Sequence, residues 1–162
     1  MLFRSHAAVL HRAEALSERT GGAFDPKLRA VSALWDFTGD SPRVPEPEEI
    51  REALAQPKWD LGGALKGYAG QEAADLLQDL DIDRALLNLG GNIQTYGEKP
   101  DGSPWQVGIQ NPDGGDYLHT IYVTDGCVVT SGDYQRRYWV GDTPYHHIID
   151  PETLYQIGRA HV

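Results

Sequence analysis

Apolar positions recur at helical spacing through the first half of the chain and gather into short β-rich runs in the second. From about His6 to Thr20, Val9, Leu10, Ala13 and Leu16 share one face, which predicts a helix ended by Gly21-Gly22. In "AFDPKLRAVSALWDF" the Asp25-Pro26 pair signals a turn or helix start, and Leu28, Val31, Leu34 and Trp35 form a short apolar stripe. "TGDSPRVPEPEE" reads as a loop, and Glu48 to Ala55 as a short helix carrying Ile50 and Leu54. In "DLGGALKGYAGQEAADLL", which begins at Asp60, the spacing predicts a longer helix. Its core face would be Leu65, Tyr68, Ala69, Ala73, Leu76, Leu77 and Leu80.

Strand signals follow. "ALLNLGGNIQTYG" predicts a buried strand that breaks at Gly90-Gly91, where backbone comes close to a neighbour. "KPDGSPWQVGIQNP" places an Asp101-Gly102 turn ahead of a strand. "YLHTIYVTDGCVVTSG" predicts a hairpin around Asp125-Gly126, and "RRYWVGDTPYHHIIDP" another around Gly141-Asp142. Helices first and antiparallel strands afterwards predict a single α+β domain, its helices packed on a mixed or antiparallel sheet. There is no internal repeat and no low-complexity tract.

Composition narrows the function classes. The 162 residues are 40% hydrophobic and 23% charged, as in a globular domain with a real core. A formal charge of −10 without a basic run excludes a nucleic-acid surface and makes an anionic membrane surface a poor partner. Cys127 stands alone, so no intramolecular disulfide or cysteine metal cluster can form, and it reads as a small buried strand residue. No apolar run reaches the roughly 18 residues of a membrane span, and the first residues lack a signal-peptide pattern. "LFRS" and "IGRAHV" resemble translated sequencing adapter. Residues 1–5 and 157–162 are therefore expected to be non-native ends of a partial domain over 6–156.

The candidate chemistry sits at glycines and histidines. Gly62, Gly63 and Lys66 match neither a dinucleotide fingerprint nor a Walker loop. Glycines at a helix start admit a ligand to the backbone N–H groups, and Lys66 adds charge, which together make an anion cradle. An ordinary glycine turn with a solvated lysine is the alternative. In "HHIIDP" a strand would put His147 and Ile149 on one face and His146 and Ile148 on the other. The two imidazoles then do not chelate one metal; one histidine faces a site while Asp150, through Pro151, sets the turn. "TSGDY" brings hydroxyls and a glycine to a strand end. Trp35, Trp59, Trp105 and Trp139 read as core or rim residues.

Taken in order, "TGGAFDP", "DLGGALKGYA", "LLNLGGNI", "GSPWQVGIQNP", "TSGDYQRRY" and "HHIIDP" resemble the ApbE family of FAD:protein FMN transferases. The resemblance implies Mg²⁺-dependent cleavage of FAD and attachment of FMN to a threonine of an acceptor protein; some members instead hydrolyse FAD to FMN and AMP. It makes Ala23, Phe24, Asp25, Asp60, Lys66 and Ile149 contacts to FAD, gives the Gly63 carbonyl to the metal, and makes His147 catalytic. It also implies a bacterial periplasmic, lipid-anchored setting at the inner membrane. Four departures stand out. The family's acidic, threonine-containing motif with the metal's side-chain ligands is not in this sequence, nor is its N-terminal flavin-contacting part. Ala55 reaches Asp60 through only "QPKW", where the family has a stretch of strand. Leu65 and Leu154 stand where the family favours a small residue and a glycine. The chain is thus expected to be an inactive fragment of a transferase, with an FAD pyrophosphatase or a non-catalytic flavin-binding remnant as alternatives.

Overall fold

The computed structural model describes residues 2–133 and 136–157, with side chains from residue 6 onward. Among the described residues four helices precede seven strands: α1 Leu2–Arg19, α2 Arg29–Leu34, α3 Pro47–Leu54, α4 Gly62–Asp79, β1 Ala85–Leu89, β2 Asn92–Tyr96, β3 Trp105–Ile109, β4 His119–Val123, β5 Gly126–Val129, β6 Arg137–Val140 and β7 Thr143–His146. Every strand pairing is antiparallel, as the sequence predicts for this α+β chain. The chain falls into two compact units, Met1–Gly63 with Asp133–Val162, and Ala64–Gly132.

The first unit is built on an aromatic core. Val9, Ala13, Val31, Trp35 and Ile50 are buried, Trp35 completely. Phe37 stacks on Trp35 at 5.8 Å between centroids, while Tyr155 meets it edge-on at 5.5 Å. Tyr145 touches both Trp35 and Tyr138, each at 5.7 Å. Each such pair adds about 0.5–1.5 kcal/mol beyond area burial. Tyr138 also donates its hydroxyl to the Arg43 carbonyl at 2.5 Å, and burial pushes its pKa up to about 12. Helix α3 opens with Pro47 at its first turn; Glu49 accepts from the Glu46 N–H at 2.9 Å and pairs both oxygens with Arg43. Strands β6 and β7 form the expected hairpin, with Gly141 at φ +59°.

The short connection into Asp60 is supported after all. Leu28 and Lys58 form a parallel bridge. The Arg29 N–H donates to the Lys58 carbonyl at 3.0 Å, the Lys58 N–H to Lys27 at 3.3 Å, and the Asp60 N–H to Pro26 at 2.7 Å.

In the second unit α4 packs on a sheet ordered β1-β2-β5, and β3 pairs with β4 alone. Gly90 and Gly91 do more than end a strand. Both have left-handed φ (+62° and +85°), which a type I′ turn requires, and they join β1 to β2 with Leu89 opposite Asn92.

Three expectations are corrected here. Asp125-Gly126 makes no hairpin, because β4 pairs with β3 while β5 pairs with β2. The Asp125 carboxylate accepts from the Gly97 N–H at 3.0 Å and so pins the start of β5 beside the end of β2. The buried stripe of α4 is Gly70 and Ala74, whereas Leu65, Leu76 and Leu80 are about half exposed or more. The cause lies in β2, which turns the buried amides of Asn92 and Gln94 toward the helix and demands close approach. A Cβ on Gly70 would stand 2.6 Å from Gln94 Oε1. Cys127 is exposed on edge strand β5, not buried.

Candidate functional site

The loop after α1 is set by Thr20, whose hydroxyl donates to the Leu16 carbonyl at 2.9 Å and accepts from the Phe24 N–H at 3.1 Å. Sequence reasoning passed over Thr20; its position before Gly21-Gly22 is the signal that was available. Ala23 is exposed and Phe24 and Asp25 half-buried. Asp25 Oδ1 accepts from the Lys27 N–H at 2.8 Å, closing an Asx turn around the buried Pro26. The Pro26 carbonyl then holds the Asp60 N–H, and Asp60 Oδ1 accepts from the Gly62 N–H at 3.0 Å at the start of α4. One turn of chain thus brings "AFD" and "DLGG" together. The edge of the Phe24 ring is 3.0 Å from where a Gly63 Cβ would stand, so glycine there gives the ring its seat.

Lys66 lies on α4 beyond Gly63 and belongs to the second unit. Its ammonium donates to the Gly90 carbonyl at 3.0 Å. That contact offsets a cation near a helix N-terminus, where the macrodipole is unfavourable to it. An ammonium has three N–H groups, and Gly90 takes one. Leu65 is exposed and does not crowd the turn.

His147 follows the end of β7. It is half-buried, as are Ile149 and Asp150. The His147 Nδ1 is buried without a hydrogen-bond partner among the described residues. Burial first, and the Arg136 charge second, lower its pKa from the ordinary histidine value. Asp150 does set the turn, as expected: Oδ1 accepts from the Glu152 N–H at 2.9 Å, and its carbonyl accepts from the Leu154 N–H at 2.7 Å. Leu154 is left-handed at φ +64°. Tyr134 of "TSGDY" lies outside the described residues.

A magnesium ion takes about six oxygen ligands, several of them waters or substrate phosphates. Gly63 is the second residue of α4, so its carbonyl already faces the N–H one turn on and has one lone pair left. Among the described residues no group of three or more His, Cys, Asp or Glu could hold a metal ion. These residues offer a magnesium ion one backbone donor and do not complete its site. A cavity of about 490 Å³ beside α2 and α3, lined by Arg29, Leu34, Glu52 and Lys58 among others, includes none of the predicted site residues.

Comparison with known proteins bears on this arrangement. Residues 4–161 match the ApbE family. An FAD:protein FMN transferase of Treponema pallidum is 34% identical over 186 residues, taking in 93% of this chain and 51% of that protein. The Escherichia coli FAD:protein FMN transferase is 33% identical over 165 residues, 85% of this chain and 47% of its own length. The chain spans about half the length of the curated relatives it matches. In the Treponema comparison the aligned span is longer than the whole 162-residue chain, so that relative carries residues this chain lacks within the matched region. Among solved structures, an ApbE protein of Thermotoga maritima superposes with a TM-score of 0.82 at 37% identity, over 92% of this chain and 56% of that one. The flavinyl transferase ApbE of Pseudomonas stutzeri gives 0.79 at 28% identity, over 93% and 54%.

Proposed function

Because the chain belongs to the ApbE family, we propose that it is part of an enzyme that moves FMN from FAD to a threonine hydroxyl of an acceptor protein. The observation that carries this reading is the seating of Phe24 on Gly63 beside the backbone ladder from Asp25-Pro26 to Asp60, which presents an aromatic face and a helix start together. Ala23, Phe24, Asp25, Asp60 and Ile149 are assigned to contacts with FAD, and the Lys66 ammonium, which gives one N–H to Gly90, is suited to a phosphate.

In the reaction the threonine oxygen attacks the phosphorus on the FMN side of the pyrophosphate. The new P–O bond forms as the P–O bond to AMP breaks, and AMP leaves with the bridging oxygen and its electron pair. The threonine proton goes to a base, and His147 fits that role, since its lowered pKa keeps it neutral and its Nδ1 is unpartnered among the described residues. The Gly63 carbonyl would be one ligand of a bound magnesium ion, which would supply charge neutralisation at the phosphates. Since the described residues complete no magnesium site, the 162-residue chain alone is expected to bind FAD but to transfer little or no FMN.

The test is to incubate the chain, and separately a full-length relative carrying the same motifs, with FAD, Mg²⁺ and a threonine-bearing acceptor protein. In-gel flavin fluorescence and the mass of the acceptor are then read. Flavinylated acceptor from the relative supports the proposal. Free FMN and AMP with unmodified acceptor would replace it by an FAD pyrophosphatase. Absence of any FAD turnover by the relative would leave a flavin-binding protein without catalysis.

A further inference from the structure

His146 is buried, 7% exposed, and both of its ring nitrogens are engaged. Nε2 lies 2.9 Å from the Ile157 carbonyl oxygen, which only accepts, so Nε2 carries the proton. Nδ1 lies 3.3 Å from the Ile148 N–H, which only donates, so Nδ1 keeps its lone pair. Two backbone groups therefore fix one neutral tautomer. The contacts are to backbone, and the identity of residue 157 is immaterial to them.

The surrounding chain is braced in the same direction. The His146 N–H donates to Gln156 Oε1 at 2.9 Å, Gln156 Nε2 donates to the Pro144 carbonyl at 2.8 Å, and the Ile157 N–H donates to Ile148 at 3.1 Å. His147, the next residue, is the opposite case: half-buried, with Nδ1 unpartnered among the described residues. One imidazole is closed by hydrogen bonds at both ends; its neighbour is hydrogen-bonded to the Arg136 backbone and keeps only Nδ1 unpartnered among the described residues.

We infer that His146 is a positioning residue for His147: by accepting the Ile148 N–H it fixes the backbone just past His147 and holds the His147 ring in its half-buried place. The inference rests on the reading of His147 as the base, and it deepens that reading. The charged and titratable groups that bear on His147 are Arg136, Asp133 and His146 itself.

Two variants of the full chain separate the two ring contacts. His146→Gln keeps a donor for the Ile157 carbonyl and loses the acceptor for Ile148, whereas His146→Asn keeps an acceptor at the δ position. The readouts, taken by NMR without ligand, are the His147 pKa and the exchange rate of the Ile148 amide. His146→Gln is expected to raise the His147 pKa toward its ordinary value by about half a unit. It should also speed Ile148 exchange roughly tenfold, as loss of one hydrogen bond implies. His146→Asn, which removes the same imidazole but keeps the acceptor, is expected to leave Ile148 exchange at the parent rate and to raise the His147 pKa less than His146→Gln does. The inference is overturned if Gln changes neither quantity, if Asn and Gln shift them equally, or if Gln unfolds the chain while Asn does not. Failure of the function reading shows elsewhere: His147→Ala in the full-length relative would then leave FMN transfer intact, whatever the NMR result.

Discussion

The ring edge of Phe24 lies 3.0 Å from the position a Cβ on Gly63 would take, while a Cβ on Gly70 would come within 2.6 Å of Gln94 Oε1 and 3.2 Å of Leu89. The two glycines share a helix and differ in what an added methyl would meet. Alanine gains about 0.5–1 kcal/mol of helix propensity at either site. At Gly63 the obstacle is the end of one half-buried side chain, which can swing aside. Gly63→Ala should therefore change stability by less than about 1 kcal/mol yet weaken FAD binding, as read by urea midpoint and calorimetry.

At Gly70 the obstacles are two side chains wedged between helix and sheet. Gly70→Ala should destabilise by about 1–3 kcal/mol, because overpacking outweighs propensity. Urea unfolding of this single variant decides it; a stabilised protein would mean that Gln94 can leave its place beside α4.

Lys66 is exposed and donates to a backbone carbonyl, so Lys66→Ala should scarcely move the melting temperature. FAD affinity should fall about tenfold, the scale of a charge-assisted hydrogen bond. The loss should shrink as salt rises. Calorimetry across a salt series measures both.

The lowered pKa of His147 gives stability a pH dependence of definite sign. The unfolded chain takes up the His147 proton at higher pH than the folded chain does. Stability from this residue is therefore full above about pH 6.5, the unfolded value, and is lost as pH falls toward the folded pKa. Denaturant midpoints between pH 5 and 7.5 should show this slope in the parent and a flatter one in His147→Gln.

Leu154 is a non-glycine residue at φ +64°. The left-handed region costs such a residue roughly 1–2 kcal/mol, and glycine in its place gives back about half of that in chain entropy. Leu154→Gly is expected to stabilise the fold by up to about 1 kcal/mol. A lowered urea midpoint would show that the half-buried leucine side chain contributes more than its backbone costs.

Much of this was legible in the sequence because local rules govern it. Helix α3, expected from Glu48 and found from Pro47, the Gly141-Asp142 hairpin and the Asp150-Pro151 turn each depend on residues within a few positions. The order of the six motifs carried the family. What could not be read depended on partners distant along the chain. Nothing near Asp125 says that its carboxylate is taken by Gly97, so a plausible hairpin became a change of sheet. The leucines of α4 have perfect helical spacing, but the packed face was chosen by the amides of β2, which reward glycine. Cys127 follows the same logic, since only the strand order shows that β5 lies at an edge.

The ladder of backbone bonds from Lys27 and Pro26 to Lys58 and Asp60 has a further consequence. It clamps the last residues before α4 through groups every amino acid possesses, so the entry to the helix is indifferent to what precedes Pro57. Length can vary ahead of that clamp while the ring of Phe24 and the first turn of α4 keep their mutual alignment. The clamp insulates the seat of Phe24 from any change in length ahead of Pro57.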